Sequence, residues 1–128
     1  MERLVIIPTY NEKENIEAII TAVMNLPIEF NVLVIDDGSP DGTAAIVKKL
    51  MEGRYKDRVL LIERAGKQGL GTAYIAGFKW AIEHQANYIF EMDADFSHNP
   101  QDLLKLYDAC ANDGADLAIG SRYITGVN

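Results

Sequence analysis

Short apolar segments alternate with amphipathic segments along the whole chain. Five of the short segments are mostly apolar at consecutive positions and rich in β-branched or aromatic residues: Leu4–Ile7, Val32–Ile35, Val59–Ile62, Tyr88–Met92 and Leu117–Gly120. A short run without polar alternation is typical of a strand that is buried on both faces of a parallel sheet. The pattern therefore predicts five buried strands.

Between these segments, apolar residues recur at helical spacing and predict four helices. We expect the first helix to begin at Asn11, an N-cap residue with a glutamate three positions later, as in a capping box. The second is expected to begin near Asp41, which can act as its cap, and the third near Gly69. The fourth has Asn99 as its N-cap and Pro100 at its first position. Right-handed crossovers between strands in this order predict an α/β fold, a mainly parallel sheet with helices on both faces.

The composition is that of an ordinary globular domain, and the charge narrows the classes of partner. A length of 128 residues suffices for a hydrophobic core, so we expect residues 1–128 to form a single domain. The net charge of −7 argues against a nucleic-acid partner, because binding phosphates requires a basic face. It also argues against attachment to an anionic membrane by charge alone.

Cysteine usage and hydropathy bear on the location of the protein. The single cysteine, Cys110, excludes an intrachain disulfide, and its apolar helical setting predicts a small buried hydrophobe. No apolar run approaches the ~18 residues that span a bilayer, and no signal peptide precedes the first strand. We therefore expect a cytoplasmic location.

Ligands of parallel sheets bind beyond the carboxyl ends of the strands, so the residues that follow each strand are candidates. After the first strand, Tyr10 and Glu12 could contact a ligand or belong merely to the turn into the first helix. After the second, Asp37 could accept paired hydrogen bonds from a base or a ribose, whereas Asp36, still within the strand, is better explained as structural.

The fourth strand is followed by Asp93-Ala94-Asp95. Two carboxylates two residues apart can converge on a divalent ion if the chain turns at Ala94. Mg²⁺ or Mn²⁺ suits an all-oxygen site that leaves positions open for phosphates and water. A cation would also offset the cost of placing two carboxylates at the end of a buried strand. Ser97 or His98 could add a ligand, although each is better explained as a loop residue.

Two further segments could meet a phosphate. The loop around Gly69 and Gly71 lacks the lysine and hydroxyl of a P-loop and the third glycine of a dinucleotide fold. Its glycines could allow close approach to a sugar or diphosphate, or form a packing turn. After the fifth strand, Arg122 has the planar guanidinium that suits a phosphate, although it could also be a surface residue.

Taken together, five segments resemble the family-two glycosyltransferases with the GT-A fold. They are Val5–Glu12, Asp36–Thr43, Gly69–Tyr74, Asp93–Asp95 and Gly120–Tyr123. The resemblance is greatest to dolichyl-phosphate (polyprenol-phosphate) mannose synthases, which the Ser39-Pro40-Asp41 version of the second motif and the glycine loop favour. It implies a Rossmann-like nucleotide-sugar-binding half of a GT-A domain and an inverting, metal-dependent transfer of a hexose, mannose from GDP-mannose, to a polyprenyl (dolichyl) phosphate.

The resemblance also implies roles for individual residues. The nucleoside pocket would be lined by Pro8, Tyr10, Glu12, Ile35 and Asp37. Asp93 and Asp95, with the backbone of Ala94, would hold a divalent cation, Mg²⁺ or Mn²⁺, and the sugar diphosphate of the donor. Asp95 and Arg122 would take part in catalysis, with Arg122 meeting phosphate. Some relatives have glutamine at the position of Ser97, and serine is a poorer metal ligand.

The acceptor implied by the resemblance is a phosphate monoester, already anionic at neutral pH. Such a nucleophile needs no general base, so positioning and charge neutralisation would account for catalysis. The family's catalytic domain continues beyond the point that corresponds to Asn128 and often includes a membrane-associated element. We therefore expect a truncated chain with little or no turnover of its own, and a full-length protein at the cytoplasmic face of the membrane.

Two alternatives remain open at this point. Another family-two transferase could act on a saccharide hydroxyl, which would need a general base from the part of the family's domain that this chain lacks. The second alternative is a nucleotide-sugar-binding module without catalysis, and the intact Asp93 and Asp95 pair argues against it. A dehydrogenase is disfavoured because no glycine fingerprint follows the first strand.

Overall fold

Strands and helices alternate as the hydrophobic pattern predicts. The computed structural model describes residues 1–113 and 118–120, and in this part of the chain five strands alternate with four helices. The elements in chain order are β1 (Arg3–Thr9), α1 (Ile16–Met24), β2 (Asn31–Asp36), α2 (Thr43–Glu52), β3 (Val59–Glu63), α3 (Leu70–Glu83), β4 (Tyr88–Met92), α4 (Asp102–Asp113) and β5 (Ala118–Gly120).

The strands form one parallel sheet in the order β3-β2-β1-β4-β5. The chain runs outward from β1 to β3 and then returns to the other side of β1 to form β4. The strand order therefore reverses between β1 and β4, which is where sheets of this kind open a crevice for ligands. The strand registers are consistent with a crevice between β1 and β4, because β1 pairs with β2 up to Thr9 but with β4 only up to Ile6.

The first strand extends beyond Ile7, the last residue of its predicted segment, to Thr9. Pro8 lies within β1, opposite Ile35 of β2. A proline interrupts a ladder because it has no N–H group, and it is tolerated here because β4 no longer pairs with β1 at this level. The proline thus marks the point at which the two strands separate.

Helices cover both faces of the sheet, as predicted. Alternate residues of β1 point to opposite layers: Val5 and Ile7 pack in a core with α1, α2 and α4, whereas Leu4 and Ile6 pack against α3. Cys110 is buried in the first of these cores, which confirms its expected role as a small apolar residue.

The predicted start of the first helix was wrong. Helix α1 begins at Ile16 with Asn15 as its N-cap, and Asn11 adopts a left-handed backbone with φ 56°. Three N–H groups after β1 are instead satisfied by the loop after β2: Asn11 donates to Ser39 Oγ, Glu12 to Thr43 Oγ1 and Lys13 to Asp41 Oδ2. Because these long-range bonds satisfy the free N–H groups, the segment does not need a local cap and can turn before the helix starts.

The other two predicted caps lie just before their helices, and the N-cap of α2 is Gly42, one residue after the predicted Asp41. Asp41 Oδ1 accepts hydrogen bonds from the N–H and the hydroxyl of Thr43, the first residue of α2. These bonds, with that from Lys13, lower the pKa of Asp41. Asn99 Oδ1 accepts from the Gln101 N–H at 3.0 Å, and a turn at Pro100 leads into α4 two residues later than predicted.

Helix α3 lies close to the sheet because Gly77 has no side chain. A Cβ atom at Gly77 would lie 2.6 Å from Cγ2 and 2.9 Å from Cδ1 of Ile6, which is fully buried in β1. We expect Gly77→Ala to lower the free energy of unfolding by about 1–3 kcal/mol, as overpacking does, although alanine is the better helix former. Urea unfolding measures this difference.

Gly71→Ala is the matched control on the same helix. Among the described residues, a Cβ at Gly71 meets no atom within 4 Å, so this change should be neutral or stabilise the domain by up to about 1 kcal/mol. If Gly77→Ala were as stable as Gly71→Ala, the contact with Ile6 would not set the distance between α3 and the sheet.

Candidate active site

A pocket opens where the carboxyl ends of β1 and β4 separate. Its wall is formed by the turns after β1, β2 and β4 and by the start of α3. The sequence-predicted residues that it brings together are Pro8, Tyr10, Glu12, Asp37, Asp93, Ala94 and Asp95. Residues far apart in the sequence therefore meet in one crevice at the point where the strand order reverses.

Two predicted site residues are not brought to this pocket by the described structure. Ile35 is fully buried in the core beneath α3, with Leu33 and Ala73, and is not one of the residues that line the pocket. Arg122 lies outside the described residues, so its role stays a prediction. Ser97 and His98, considered as additional ligands, do not line the pocket either.

The predicted structural role of Asp36 agrees with its contacts. Asp36 is buried, and its carboxylate accepts from the Thr9 hydroxyl at 2.7 Å. It also accepts from the N–H and the hydroxyl of Ser39, at 3.0 and 2.7 Å. These bonds join the end of β1 to the loop after β2 and hold both walls of the pocket.

Asp37 is held by a partner that the sequence analysis missed. Arg64, just past β3, donates from Nε to Asp37 Oδ1 at 2.6 Å and from Nη2 to Oδ2 at 3.0 Å. The Gln68 N–H also donates to Oδ2, at 3.2 Å. Burial acts to raise the pKa of Asp37, but these bonds and the charges of Arg64 and Lys67 outweigh it and lower the pKa.

Glycines allow the loops after β2 and β3 to approach each other. Gly38 has φ 71°, and a Cβ there would lie 2.9 Å from the backbone nitrogen of Gly66. Gly69 has φ 99° and lines the pocket at the start of α3. The predicted glycine loop therefore borders the site, and its contact with a sugar or diphosphate stays a prediction.

All three residues of the Asp93-Ala94-Asp95 segment line the pocket. Ala94 is buried in the core below α1 and α4, so it anchors the turn, while Asp93 is half-buried and Asp95 exposed. Asp95 Oδ1 accepts from the Ser97 N–H at 2.9 Å. Hydrogen bonds from the Ser97 side chain and N–H lower the pKa of Asp95 and outweigh the opposing effect of burial.

The sequence analysis also did not identify the partner of Asp93. The Tyr74 hydroxyl, on the second turn of α3, donates to Asp93 Oδ1 at 2.9 Å. Burial, and then the charge of Asp93, raise the pKa of the Tyr74 phenol above its usual range, so the hydroxyl remains a donor. The sequence carried no signal for this bond, because it depends on how α3 packs on the sheet.

With the geometry of the pocket described, its motifs can be compared with known proteins. A family model described as "Glycosyl transferase family 2" matches residues 4–128. The chain belongs to glycosyl transferase family 2. The resemblance drawn from the sequence motifs is therefore confirmed.

A curated relative of this family 2 chain is the polyprenol monophosphomannose synthase of Mycolicibacterium smegmatis, 50% identical over 123 residues. The alignment covers 96% of this chain and 46% of the relative, so the chain spans about half the length of that protein.

Solved structures confirm the GT-A type of fold. A mannosyltransferase, PcManGT from Pyrobaculum calidifontis, in complex with GDP-Man and Mn²⁺, matches with a TM-score of 0.71 and 25% identity, covering 87% of this chain and 32% of that one. Staphylococcus aureus TarS in complex with UDP-GlcNAc matches with a TM-score of 0.70 and 26% identity, covering 86% of this chain and 31% of that one.

The pocket of this family 2 chain is acidic. Glu12, Asp37, Asp93 and Asp95 line it, and Lys67, with Nζ 4.9 Å from the centre of the Tyr10 ring, is the cation among its described lining residues. Just below, burial and the charge of Asp93 raise the pKa of Glu91 on β4. Negative charges that act on one another in this way favour a bound cation.

The donor set fits a hard divalent cation that shares its coordination with a ligand. In the part of the chain that the structure describes, no group of three or more His, Cys, Asp or Glu side chains is arranged to hold a metal. Mg²⁺ and Mn²⁺ sites of phosphate-handling enzymes use one or two carboxylates together with phosphate oxygens and water. Asp93 and Asp95 meet that description.

No helix in the described residues combines the length and the apolar character that crossing a membrane requires.

Proposed function

We propose that this family 2 chain is the nucleotide-sugar-binding half of an inverting glycosyltransferase that moves mannose from GDP-mannose to a polyprenyl phosphate. The observation that carries the proposal is the meeting of Asp93 and Asp95 with the Tyr10 and Asp37 turns in one crevice. The relative named as a polyprenol monophosphomannose synthase supports the acceptor, and PcManGT, named with GDP-Man and Mn²⁺, supports the donor and the metal.

Different residues of the pocket bind different parts of the donor. The Pro8–Glu12 turn and Asp37 contact the nucleoside, with the Asp37 carboxylate held in place by Arg64. Asp93 and Asp95 hold the divalent cation and, with the backbone of Ala94, the diphosphate. When bound, the cation supplies positive charge for the departing nucleoside diphosphate. Arg122, outside the described residues, is assigned to phosphate.

The acceptor chemistry removes the need for a general base. A phosphate monoester is already an anionic nucleophile, so no side chain has to remove a proton. The pocket holds the donor in a defined position. A phosphate oxygen of the acceptor attacks the anomeric carbon from the face opposite the departing nucleoside diphosphate, and this inverts the anomeric centre. We place the full-length protein at the cytoplasmic membrane face, where its lipid acceptor would be found.

The test is a calorimetric titration of GDP-mannose and of UDP-glucose, each with and without Mn²⁺. We expect Mn²⁺-dependent binding of GDP-mannose that is at least about tenfold tighter than that of UDP-glucose, a difference of about 1.4 kcal/mol. Tighter binding of UDP-glucose would make a uridine nucleotide the donor. The likeness to TarS in complex with UDP-GlcNAc is the reason for including this alternative. No binding of either sugar nucleotide under either condition would contradict the proposed site.

A further inference from the structure

We infer that Tyr74 is a positioning residue of the metal site, which orients Asp93 for the cation. This inference rests on the proposed function. It starts from the bond between the Tyr74 hydroxyl and Asp93 Oδ1, 2.9 Å long. The bond engages one oxygen of the carboxylate, and the other oxygen is the one that we assign to the cation.

The two carboxylates of the Asp-Ala-Asp segment are anchored in different ways. Asp95 is held within its own turn, by the Ser97 N–H at 2.9 Å. Asp93 is held from another element, because Tyr74 lies on α3 and is 19 residues away in the sequence. The Tyr74 bond therefore fixes the metal segment relative to α3, whereas the Ser97 bond shapes only the turn.

The close packing of α3 on the sheet allows the Tyr74 hydroxyl to reach Asp93. Ala73 and Gly77, neighbours on the buried face of α3, are small and let the helix lie against β1. Tyr74 follows Ala73 and is partly buried against the same core. Because the helix is close to the sheet, the phenol can extend along it to the end of β4, where Asp93 lines the pocket.

A residue that hydrogen-bonds to a metal ligand orients that ligand without touching the metal. In characterised sites, loss of such a residue weakens metal binding by about 10–100-fold. A tyrosine that only satisfied its own buried hydroxyl would affect stability and leave metal affinity unchanged. A positioning role for Tyr74 therefore changes metal affinity, whereas a purely structural role changes only stability.

The experiment compares wild type with Tyr74→Phe, which removes only the hydroxyl. Binding of Mn²⁺ in the presence of GDP is followed by the electron paramagnetic resonance of the free ion, and GDP binding without metal by calorimetry. We expect about tenfold weaker Mn²⁺ binding in Tyr74→Phe, with metal-free GDP affinity within twofold of wild type. Tyr88→Phe is the matched control, since Tyr88 lies at the opposite end of β4, and should match wild type in both assays.

The outcomes separate this inference from the proposed function. If wild type binds Mn²⁺ and Tyr74→Phe binds it as tightly or more tightly, the positioning role is wrong and the proposed function stands. If Tyr74→Phe loses metal-free GDP affinity to the same degree as Mn²⁺ affinity, Tyr74 supports the pocket as a whole and the inference is also wrong. If wild type itself shows no Mn²⁺ binding, the proposed function and this inference both fail.

Discussion

Replacing Asp93 or Asp95 with asparagine is expected to abolish the Mn²⁺-dependent gain in affinity for GDP-mannose. Asparagine has nearly the same shape and its Oδ1 can still accept from Tyr74 or from the Ser97 N–H, so the turn should keep its conformation. What is lost is the negative charge that a hard cation prefers in its ligands. We expect Mn²⁺ affinity to fall by at least about 100-fold, the upper end of the loss that an outer-shell partner alone causes.

Without metal, the same substitutions should act in the opposite direction. Each removes a carboxylate from an acidic pocket that must accept an anionic diphosphate, so affinity for GDP in the absence of Mn²⁺ should be unchanged or higher. Calorimetry of wild type, Asp93→Asn and Asp95→Asn with and without Mn²⁺ measures both effects. Asp108→Asn, which removes an exposed carboxylate of α4, is the control for the change in net charge. Full Mn²⁺ dependence in Asp95→Asn would remove Asp95 from the metal site.

The strands and the crevice were predictable because their signals are local. A buried parallel strand appears as a short apolar run, and the rule that ligands bind beyond strand ends predicts Asp37, Asp93 and Asp95 as site residues. All three line the pocket. Strand β1 continues past its predicted end at Ile7 and includes Pro8, because β4 stops pairing with it at Ile6, which the sequence does not reveal.

The partners of these carboxylates were not predictable, because they come from other elements. Arg64 is 27 residues from Asp37, and Tyr74 is 19 residues from Asp93. Finding the first requires knowing that β2 and β3 are neighbours with Asp36 opposite Glu63. Finding the second requires the distance of α3 from the sheet. The wrong helix start at Asn11 has the same cause, since backbone N–H groups that donate to the hydroxyls of Ser39 and Thr43 take the place of a local cap.

Loss of the Arg64 guanidinium is expected to destabilise the fold by about 3 kcal/mol at pH 7, the lower end of the range for breaking a buried ion pair. The Asp37 and Arg64 side chains are 7% and 11% exposed, so Arg64→Ala would leave a carboxylate desolvated with a single N–H donor from Gln68. Arg64→Lys keeps the charge but not the paired bonds, and should lie between Arg64→Ala and wild type. Urea unfolding at pH 7 measures these differences.

The pH dependence of this destabilisation has a definite sign. In the wild type the folded-state pKa of Asp37 is below its ordinary 3.8, so the pair stabilises the fold above that pH and loses its effect as the pH falls through the lowered pKa. In Arg64→Ala, burial remains without the guanidinium, so the folded-state pKa of Asp37 should rise and acidification should favour folding. The gap in unfolding free energy between the two proteins should therefore narrow as the pH falls from the raised pKa of Asp37 in the variant toward its lowered pKa in wild type. A gap that stayed constant over this range would mean that Arg64 stabilises the loop after β3 through its other contact, the Gly69 carbonyl, and not through the charge of Asp37.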